Sequence, residues 1–272
     1  MIDLYNEKNE IHNEIKTKGF YLFKNFLSNK DLDFLTKNLL ITNTKEDKAS
    51  KFFFDLKTSI TDLVSLNFEG IKKRRILVKL LKDYKLKKIA KTIFKSEIDS
   101  PTADIYFSPI SNKPVIQWHT DQAYSGKKIV TKFVNPEKAA LKFFFYLTDV
   151  DSQNGCLGYI PGSHIISFYL KKMIFEKKIE YSPYWSINDY RNLIKSDRVK
   201  SKLLEKIDEK IIDRFISDTE FVDSNKDSIK FDIKAKAGSL LIFDESGVHR
   251  GNAVTKLERK CIRIFFRKKL DI

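Results

Sequence analysis

The segment QWHTDQAY, residues 117–124, places a histidine and an aspartate two positions apart, as His119 and Asp121. The residues around them alternate in the manner of a β-strand, in which side chains i and i+2 project from the same face. The imidazole and the carboxylate would then be close enough to bind one metal ion. An ordinary surface pair of hydrogen-bonding residues has the same spacing, so the interpretation depends on a third ligand.

The remaining histidines supply one good candidate for that ligand. His249 follows the apolar run GSLLIFD, at a strand end suited to the mouth of a barrel. His164 lies in the turn IPGSH, where an imidazole usually caps backbone groups, and His12 lies in a charged N-terminal helix, where we expect a surface residue. Two histidines and one carboxylate on one side of a metal form the facial triad of non-haem Fe(II) oxygenases.

An enzyme of that kind that uses 2-oxoglutarate also needs a cation for the far carboxylate. Arginine suits this task because its planar guanidinium holds a carboxylate through two hydrogen bonds. Arg259 opens the last apolar strand, ten residues after His249. Arg263 lies in phase with it four residues later, so both arginines are candidates.

The rest of the sequence predicts the elements that position these residues. Residues 1–100 have mostly helical patterns, among them SNKDLDFLTKNLL with Ser28 as N-cap, and RRILVKLLKDYKLKKIAKTIF. From Ala103 onward short β-type runs alternate with turn residues, which favours a barrel or sandwich. Residues 165–225 interrupt the strands with a charged, helical pattern, and we expect this insertion to cover the sheet rather than form a separate domain.

Length and composition set the broad class. The chain has 272 residues, of which 42% are hydrophobic, so it can bury the core of one large domain. No apolar run approaches the roughly 18 residues of a membrane span, and the first residues lack the apolar core of a signal peptide. The two cysteines, Cys156 and Cys261, do not make a disulfide framework. We therefore expect a reduced, cytoplasmic protein.

The net charge of +15 comes mostly from lysines that look spread along the whole chain. Such an excess favours nucleic acid, a membrane surface or an anionic substrate, but the lysine-rich usage of an AT-biased genome explains it equally well. No basic stripe interleaved with aromatic residues, as nucleic-acid grooves have, is evident. We expect no membrane and no nucleic-acid partner, and the oligomeric state stays open.

Several stretches together resemble the phytanoyl-CoA dioxygenase family of Fe(II)/2-oxoglutarate-dependent oxygenases. The most specific is FYLTDVDSQNGCLGYIPGSH, residues 145–164, which is similar to that family's strand, acidic turn, Asn-Gly and Pro-Gly-Ser-His sequence. QWHTDQAY resembles the proximal ligand motif and AGSLLIFDESGVHRGNAV the distal one. GFYLFKNFLSNKDLDFL is similar to the opening strand and helix. The likeness covers about residues 19–267, without the 165–225 insertion.

The resemblance implies an α+β fold with a mainly β core. This core would be a double-stranded β-helix (a cupin-like jelly roll) with N-terminal helices packed outside and a helical insertion. Residues 1–272 would form a single dioxygenase domain, with residues 1–100 as a helical flank and residues 101–272 as the jelly-roll core. Independently of the resemblance, residues 165–225 look to have little apolar content to fix them to the barrel, and long insertions in compact domains are often lids. We therefore predict that part of this insertion is mobile without substrate and closes over the metal when the pocket fills.

The resemblance also assigns roles within the site. It makes His119, Asp121 and His249 the ligands of Fe(II), Arg259 the anchor of 2-oxoglutarate, and His164 a structural residue. Phe144 stands where the family commonly has an aromatic residue against the co-substrate. Two positions depart from the pattern, since Thr120 replaces a usual glutamine and Gly251 lacks a serine hydroxyl that often helps hold the far carboxylate.

The implied reaction uses Fe(II), 2-oxoglutarate and O₂ to hydroxylate a small-molecule substrate, with release of succinate and CO₂. Related halogenases lack the carboxylate ligand, so Asp121 favours hydroxylation. An oxidative demethylase of nucleic acid or protein and a non-catalytic jelly-roll binding protein are the alternatives. Gln117 and Tyr124, which flank the ligand pair, are the candidate substrate contacts.

The cations of the insertion favour an anionic substrate, because we expect them to line the mouth of the pocket. A solvated helix face is the other explanation of the same pattern. The cations are Lys171, Lys172, Lys177, Lys178, Arg191, Lys195 and Arg198.

Overall fold

The computed structural model describes residues 8–39, 50–55, 68–121, 135–137, 139–180, 187–226 and 228–270. The helices of this part of the chain are α1 (Lys8–Lys18), α2 (Asn29–Leu39), α3 (Phe68–Asp83), α4 (Leu86–Phe94), α5 (Ser163–Phe175), α6 (Ile187–Lys195), α7 (Asp197–Leu204) and α8 (Glu209–Ser224). The strands are β1 (Phe20–Phe23), β2 (Ser50–Asp55), β3 (Thr102–Ser108), β4 (Ser111–His119), β5 (Ala140–Tyr146), β6 (Leu157–Tyr159), β7 (Asp232–Ile233), β8 (Leu240–Asp244), β9 (His249–Val254) and β10 (Arg259–Arg267).

The strands form two sheets in which every pairing is antiparallel. The large sheet has the order β1-β8-β5-β10-β3-β2, and the small sheet has the order β4-β9-β6-β7. Phe243 of the large sheet and Tyr159 of the small sheet are in edge-to-face contact, with ring centroids 6.0 Å apart. The fold is therefore a mixed helical and antiparallel β structure with a jelly-roll-like pair of facing sheets.

Successive side chains along a strand of the large sheet point to opposite faces, and the two faces belong to different hydrophobic cores. In β10, Ile262, Ile264 and Phe266 belong to the hydrophobic core that the N-terminal helices share. Cys261, on the opposite face, belongs to a second core with residues of the small sheet. Because side chains alternate along a strand, Arg259 and Arg263 lie on the same inward face as Cys261.

The N-terminal helices cover the outer face of the large sheet. Their buried side chains, such as Leu35, Leu77 and Ile89, join the core that includes Phe143 and Ile264. The Ser28 hydroxyl accepts a hydrogen bond from the Asp31 backbone N–H at 3.1 Å, which confirms the predicted N-cap of α2.

Two details of this flank differ from the sequence prediction. The long helical pattern that begins at Arg74 is divided between α3 and α4, because Lys85 takes a left-handed conformation with φ of 50°. The flank also contributes β2, whose sequence SKFFFD pairs with β3 at the edge of the large sheet. Helical periodicity predicted α2, α3 and α4, but a six-residue strand carries too little pattern to be recognised in a segment that reads as mostly helical.

The insertion has a substantial core of its own, so the expectation that it has little apolar content to fix it in place is wrong. α5, α6, α7 and α8 bury Ile166, Leu170, Ile194, Leu203, Ile212 and Phe215 against one another. The same cluster continues to the small sheet through Ile160, Val248 and the half-buried Trp118. This packing fixes the helical cover to the barrel.

We predict that the described helices of the insertion exchange their amide hydrogens slowly in the protein without added ligands. Ile194 and Ile212 have no exposed surface, and local opening would expose the apolar cluster around them. Hydrogen exchange with mass spectrometry measures this, with the exposed end of α1 as a fast-exchanging internal reference. Rapid exchange throughout α6, α7 and α8 would show that the segment is a mobile lid after all.

Candidate metal centre

Three predicted metal ligands come together between the sheets. One ligand atom from each of His119, Asp121 and His249 can be chosen so that all lie within 4.8 Å of one another. His119 Nε2 lies 3.7 Å from Asp121 Oδ1, and His249 Nε2 lies 3.3 Å from Asp121 Oδ2. Both imidazoles are buried. Two imidazole nitrogens and a carboxylate that converge in this way could hold one metal ion.

Strand pairing brings the two histidines together. His119 is the last residue of β4 and pairs with His249, the first residue of β9. Asp121 lies beyond the end of β4, so strand alternation does not orient it as the sequence pattern suggested. Its backbone N–H instead donates to the carbonyl of Glu245 at 3.2 Å, which turns the aspartate back toward the histidines.

Backbone carbonyls fix the orientation of both imidazoles. His119 Nδ1 lies 2.6 Å from the carbonyl oxygen of Gln117, and His249 Nδ1 lies 2.8 Å from that of Gly247. In the neutral ring, a proton on Nδ1 satisfies this contact and leaves the Nε2 lone pair directed at the shared centre. Such hydrogen bonds to the second ring nitrogen are characteristic of metal-binding histidines.

Two lysines, one buried and one half-buried, surround Asp121 and compensate its charge. Lys142, on the inward face of β5, forms an ion pair with Asp121 Oδ2, and its ammonium also lies 3.9 Å from Glu245 Oε2. Lys171 of α5 donates to the Asp121 backbone carbonyl at 2.8 Å. Sequence reasoning missed Lys142, although a lysine at an inward position of the strand LKFFFYL was a visible signal.

Burial and charge set the protonation states of the site. Burial, with the nearby charge of His249, lowers the pKa of His119 to about 4. Burial alone would raise the pKa of Asp121, but Lys142 and the two histidines outweigh it and hold that pKa well below its usual value. Burial also lowers the pKa of Lys171 to about 8. At neutral pH the site therefore presents an ionised carboxylate and a neutral His119, the forms that bind metals.

The donor set suits a divalent transition metal. Two imidazoles and one carboxylate on one side leave the other coordination positions open to small molecules, as in the facial triad of non-haem Fe(II) oxygenases. Carboxylate-rich sites for Mg²⁺ and Ca²⁺ and thiolate-rich sites for structural Zn²⁺ have different ligands. Cys156 and Cys261 are buried and free, and neither belongs to the triad.

The two candidate arginines have different partners. Arg263 makes a two-point pair with the buried Asp104, with both N–O distances 2.7 Å. Arg259 donates to the Gly155 carbonyl at 2.6 Å and to the Ser108 hydroxyl at 3.0 Å, and its Nε is buried without a hydrogen-bond partner. Within the described residues, Arg259 thus has no carboxylate partner, whereas Arg263 already has one.

Three further predicted positions lie near the inward face. Phe144 is buried on β5, with its ring centroid 5.0 Å from that of Phe243 and 5.6 Å from the Arg263 guanidinium carbon. Thr120 is buried, and its hydroxyl donates to the Asp121 carbonyl at 2.9 Å. A Cβ at Gly251 would lie 3.2 Å from Val115 Cβ, so a serine there would require its neighbours to move.

The remaining candidates lie apart from the triad or outside the described residues. Gln117 is exposed, because a bulge between Ile116 and His119 breaks the alternation that placed it on the inward face. Tyr124 lies outside the described residues. His164 Nε2 contacts the Lys16 carbonyl at 3.1 Å, away from the triad as expected. His12 is half-buried rather than exposed, and its Nδ1 contacts the Ile93 carbonyl at 3.1 Å.

The cations of the insertion do not line the site as a group. Of the seven, Lys171 reaches the triad, whereas Arg191 is buried within the insertion and pairs with Asp223 at 2.5 Å. The exposed Lys195 pairs with Glu220, also at 2.5 Å. The expectation that these side chains gather at the mouth of the pocket is therefore wrong for most of them.

The fold and the ligand triad together define a protein with the architecture of 2-oxoglutarate-dependent oxygenases. A family model, Phytanoyl-CoA dioxygenase (PhyH), matches residues 15–261. The chain therefore belongs to the phytanoyl-CoA dioxygenase family. Among curated proteins, none matches the chain by sequence.

Solved structures share the fold at low sequence identity. The non-haem α-ketoglutarate-dependent carbocyclase SnoK from nogalamycin biosynthesis has a TM-score of 0.55 at 14% identity, covering 95% of this chain and 83% of its own. EvdO2 from Micromonospora carbonacea var. aurantiaca, complexed with 2-oxoglutarate, has a TM-score of 0.53 at 13% identity, covering 97% and 92%. The epimerase SnoN, in complex with Fe³⁺, α-ketoglutarate and nogalamycin RO, has a TM-score of 0.52 at 11% identity, covering 97% and 84%.

The helices of the described residues are amphipathic or polar elements of a folded domain. None of them has the length and apolar character that crossing a membrane requires.

We predict that protonation of His119 lowers the folding stability of the metal-free protein in acid. Because its pKa is about 4 in the folded protein and about 6.5 in the unfolded chain, the unfolded state binds its proton first. Its contribution to stability is complete above about pH 6.5 and is lost as the pH falls toward 4, by about 2–3 kcal/mol at pH 4.5. Urea unfolding across this pH range, compared between the wild type and His119→Asn, measures the contribution of His119 to the free energy of unfolding. Parallel curves for the two proteins would contradict it.

A second prediction concerns the Arg263–Asp104 pair. Arg263→Leu should lower the free energy of unfolding by about 3–5 kcal/mol, because it removes the guanidinium partner of a carboxylate with no exposed surface. Adding Asp104→Leu should recover most of that loss. Chemical denaturation of the two variants tests the pair, and a stable Arg263→Leu single variant would show that the pair has no structural role.

Proposed function

We propose that this protein is an Fe(II)- and 2-oxoglutarate-dependent oxygenase that hydroxylates a small molecule and releases succinate and CO₂. The observation that carries the proposal is the convergence of the His119, Asp121 and His249 ligand atoms within 4.8 Å, with both imidazoles held through Nδ1. Family membership supports the same chemistry. When bound, iron and 2-oxoglutarate together would supply the oxidising power that side chains lack.

The side chains have separate tasks in this proposal. His119, Asp121 and His249 would hold the metal, while the Gln117 and Gly247 carbonyls keep both imidazoles aimed at it. Lys142 would hold Asp121 in place through the oxygen it already contacts.

Arg259 is our choice for the anchor of the far carboxylate of 2-oxoglutarate. It is buried and, in the described part of the chain, has no carboxylate of its own, whereas Arg263 is neutralised by Asp104. Phe144 would contribute an apolar wall beside the co-substrate. The Thr120 hydroxyl is engaged with the Asp121 carbonyl, so we assign it a supporting contact only.

The strand order supports a finer description of the fold. We infer that four strands of the large sheet (β3, β10, β5 and β8) and the four of the small sheet form a double-stranded β-helix. Successive strands from β3 onward alternate between sheets as β3, β4, β5, β6, with β7 in the small sheet, β8 in the large, β9 in the small and β10 in the large. One domain with a helical flank and a helical insertion follows from this arrangement.

The charges of the site favour an acidic substrate. Lys142 and Lys171 already balance Asp121 and the nearby Glu245, so a divalent metal would leave the site strongly positive. The dianion 2-oxoglutarate offsets the two charges of the metal, and a carboxylate or phosphate on the substrate would offset the further positive charge of Arg259. Asp121 favours hydroxylation over halogenation because the carboxylate ligand is present. The proposed substrate is therefore a small, acidic molecule.

Turnover of 2-oxoglutarate tests the redox chemistry. Metal-stripped protein should form succinate only after Fe(II) is added under air, and Asp121→Ala should abolish this, because the triad loses its only carboxylate. Asp151→Ala, at an exposed position outside the triad, is the matched control. Full activity with zinc alone would be incompatible with the proposal.

A 2-oxoglutarate titration tests the anchor. Arg259→Ala should raise the concentration required by about 30- to 1000-fold, the equivalent of about 2–4 kcal/mol for a lost charge-assisted pair. Arg214→Ala, which removes an exposed arginine of α8, controls for the loss of one positive charge. If Arg214→Ala had an equal effect, general charge would explain the result and Arg259 would lose its assignment.

A further inference from the structure

The positive charge of the chain is concentrated on one helical pair. The segment 68–95, which contains α3 and α4, has eleven basic and two acidic residues, a net charge of +9 out of +15 for the whole chain. Our sequence-based view that the cations are evenly spread is therefore wrong. Asymmetry of this size requires an explanation other than overall composition.

The insertion provides an internal control for composition. Residues 187–226, which contain α6, α7 and α8, have nine basic and nine acidic residues, so this equally lysine-rich helical segment is neutral. A genome bias toward lysine would act on both segments alike. The missing acidic residues on α3 and α4 are thus a property of this face.

The exposed basic side chains of α3, α4 and the residues at the two ends of α4 are together called the basic face. Lys72, Arg75, Lys79 and Lys82 recur every three or four residues, so they share one side of α3. The exposed members of the basic face are Lys72, Arg75, Lys79, Lys82, Lys85, Lys87, Lys88, Lys91 and Lys95.

Few of these cations have acidic partners. Lys79 pairs with Asp83, and Lys91 pairs with Glu97 at 2.6 Å. Among the described residues, the other seven members of the basic face have no ion-pair partner. Like charges packed this closely repel one another, and a surface of opposite charge relieves that repulsion.

The basic face lies on the side of the large sheet opposite to the triad. Leu77, Leu80 and Ile89 on the inner side of the two helices belong to the core on the outer face of that sheet. Lys142, which contacts Asp121, projects from its inner face. A partner on the basic face would therefore leave the metal centre uncovered.

We propose that the basic face docks on the surface of a lipid bilayer that contains anionic lipids. Eight of its nine cations are lysines, which suit delocalised attraction to anionic headgroups more than the two-point phosphate contacts that arginine makes in nucleic-acid sites. Tyr84 and Phe94 are half-buried against the core, so neither offers a ring for stacking bases. The apolar side of each helix is already buried, so the contact is peripheral and electrostatic.

A cavity beside α4 is lined by none of the nine members of the basic face. It has a volume of about 530 Å³, and its lining includes Ile93, Phe94, Leu141, Ile165 and Phe168. Lys171, which contacts the Asp121 carbonyl, also lines it. Polar and charged side chains complete the lining, so the cavity does not bear on the choice of partner for the basic face; they are His12, Lys16, Glu137, His164, Asp244, Ser246 and Lys268.

Vesicle flotation with the full chain tests the proposal. The protein should float with vesicles of phosphatidylcholine plus phosphatidylserine, but not with phosphatidylcholine alone, and rising salt should release it. Replacing Lys72, Arg75, Lys82, Lys87 and Lys88 with Gln should weaken binding at least about 50-fold.

The matched control removes the same charge from another exposed surface. Gln at Lys177, Lys195, Lys206, Lys210 and Lys226 also lowers the net charge by five, and it should change vesicle binding by less than about 3-fold. Equal losses in the two variants would show that general net charge, and not this face, is responsible. Binding to neutral vesicles, or absence of binding to the anionic ones, would refute the proposal.

Two measurements complete the test. Hydrogen exchange of the wild type on anionic vesicles should show added protection in α3 and α4 but none in α6 to α8. This measurement does not depend on the folding of any variant. A fluorescent DNA duplex and a single-stranded RNA are the competing ligands. If these bind through the basic face while anionic vesicles do not, the surface is a nucleic-acid site and the membrane proposal is wrong.

Discussion

The carboxylate of Asp121, which is partly buried and ion-paired, is the constraint on which the rest of the site depends. A buried charge is tolerated only when opposite charges and hydrogen bonds compensate it. Here Lys142 of the large sheet pairs with the carboxylate, Lys171 of the first helix of the insertion donates to the Asp121 backbone carbonyl, and the Asp121 backbone N–H donates to the Glu245 carbonyl in the turn after β8. Through its carboxylate and its backbone, Asp121 therefore links the large sheet, the turn after β8 and the helical cover.

This dependence explains why the insertion is part of the wall rather than a separate cap. Lys171 can reach the Asp121 carbonyl only if α5 lies against the open end between the sheets, and the apolar cluster behind α5 holds it there. The cover thus contributes a charged side chain beside the triad. Displacing the helix would expose apolar side chains and separate Lys171 from its carbonyl partner, so both contributions oppose opening.

The sequence predicted the cluster of His119, Asp121 and His249, which could hold a metal ion, because these residues stand in recognisable motifs, and it predicted strands where apolar residues alternate. It placed Gln117 on the inward face, which is wrong because a bulge changes the alternation of β4 between Ile116 and His119. No residue type in this stretch predicts a bulge. The ion pair between Lys142 and Asp121 could not be predicted from the sequence for a related reason. Lys142 lies far from Asp121 along the chain, and only the pairing of β5 within the large sheet brings it to the site.

Lysine has two physical roles in this chain, and composition alone does not separate them. Lys142 and Lys171 are buried or nearly so, and each has a specific oxygen partner, so these two side chains are part of the chemistry of the site. The lysines of the basic face are exposed and mostly without acidic neighbours in the described structure, so their effect is collective and long-ranged. The first role requires an exact position, whereas the second requires only density and the absence of acids. A net charge of +15 contains both contributions, and the three-dimensional placement of each cation determines which one it makes.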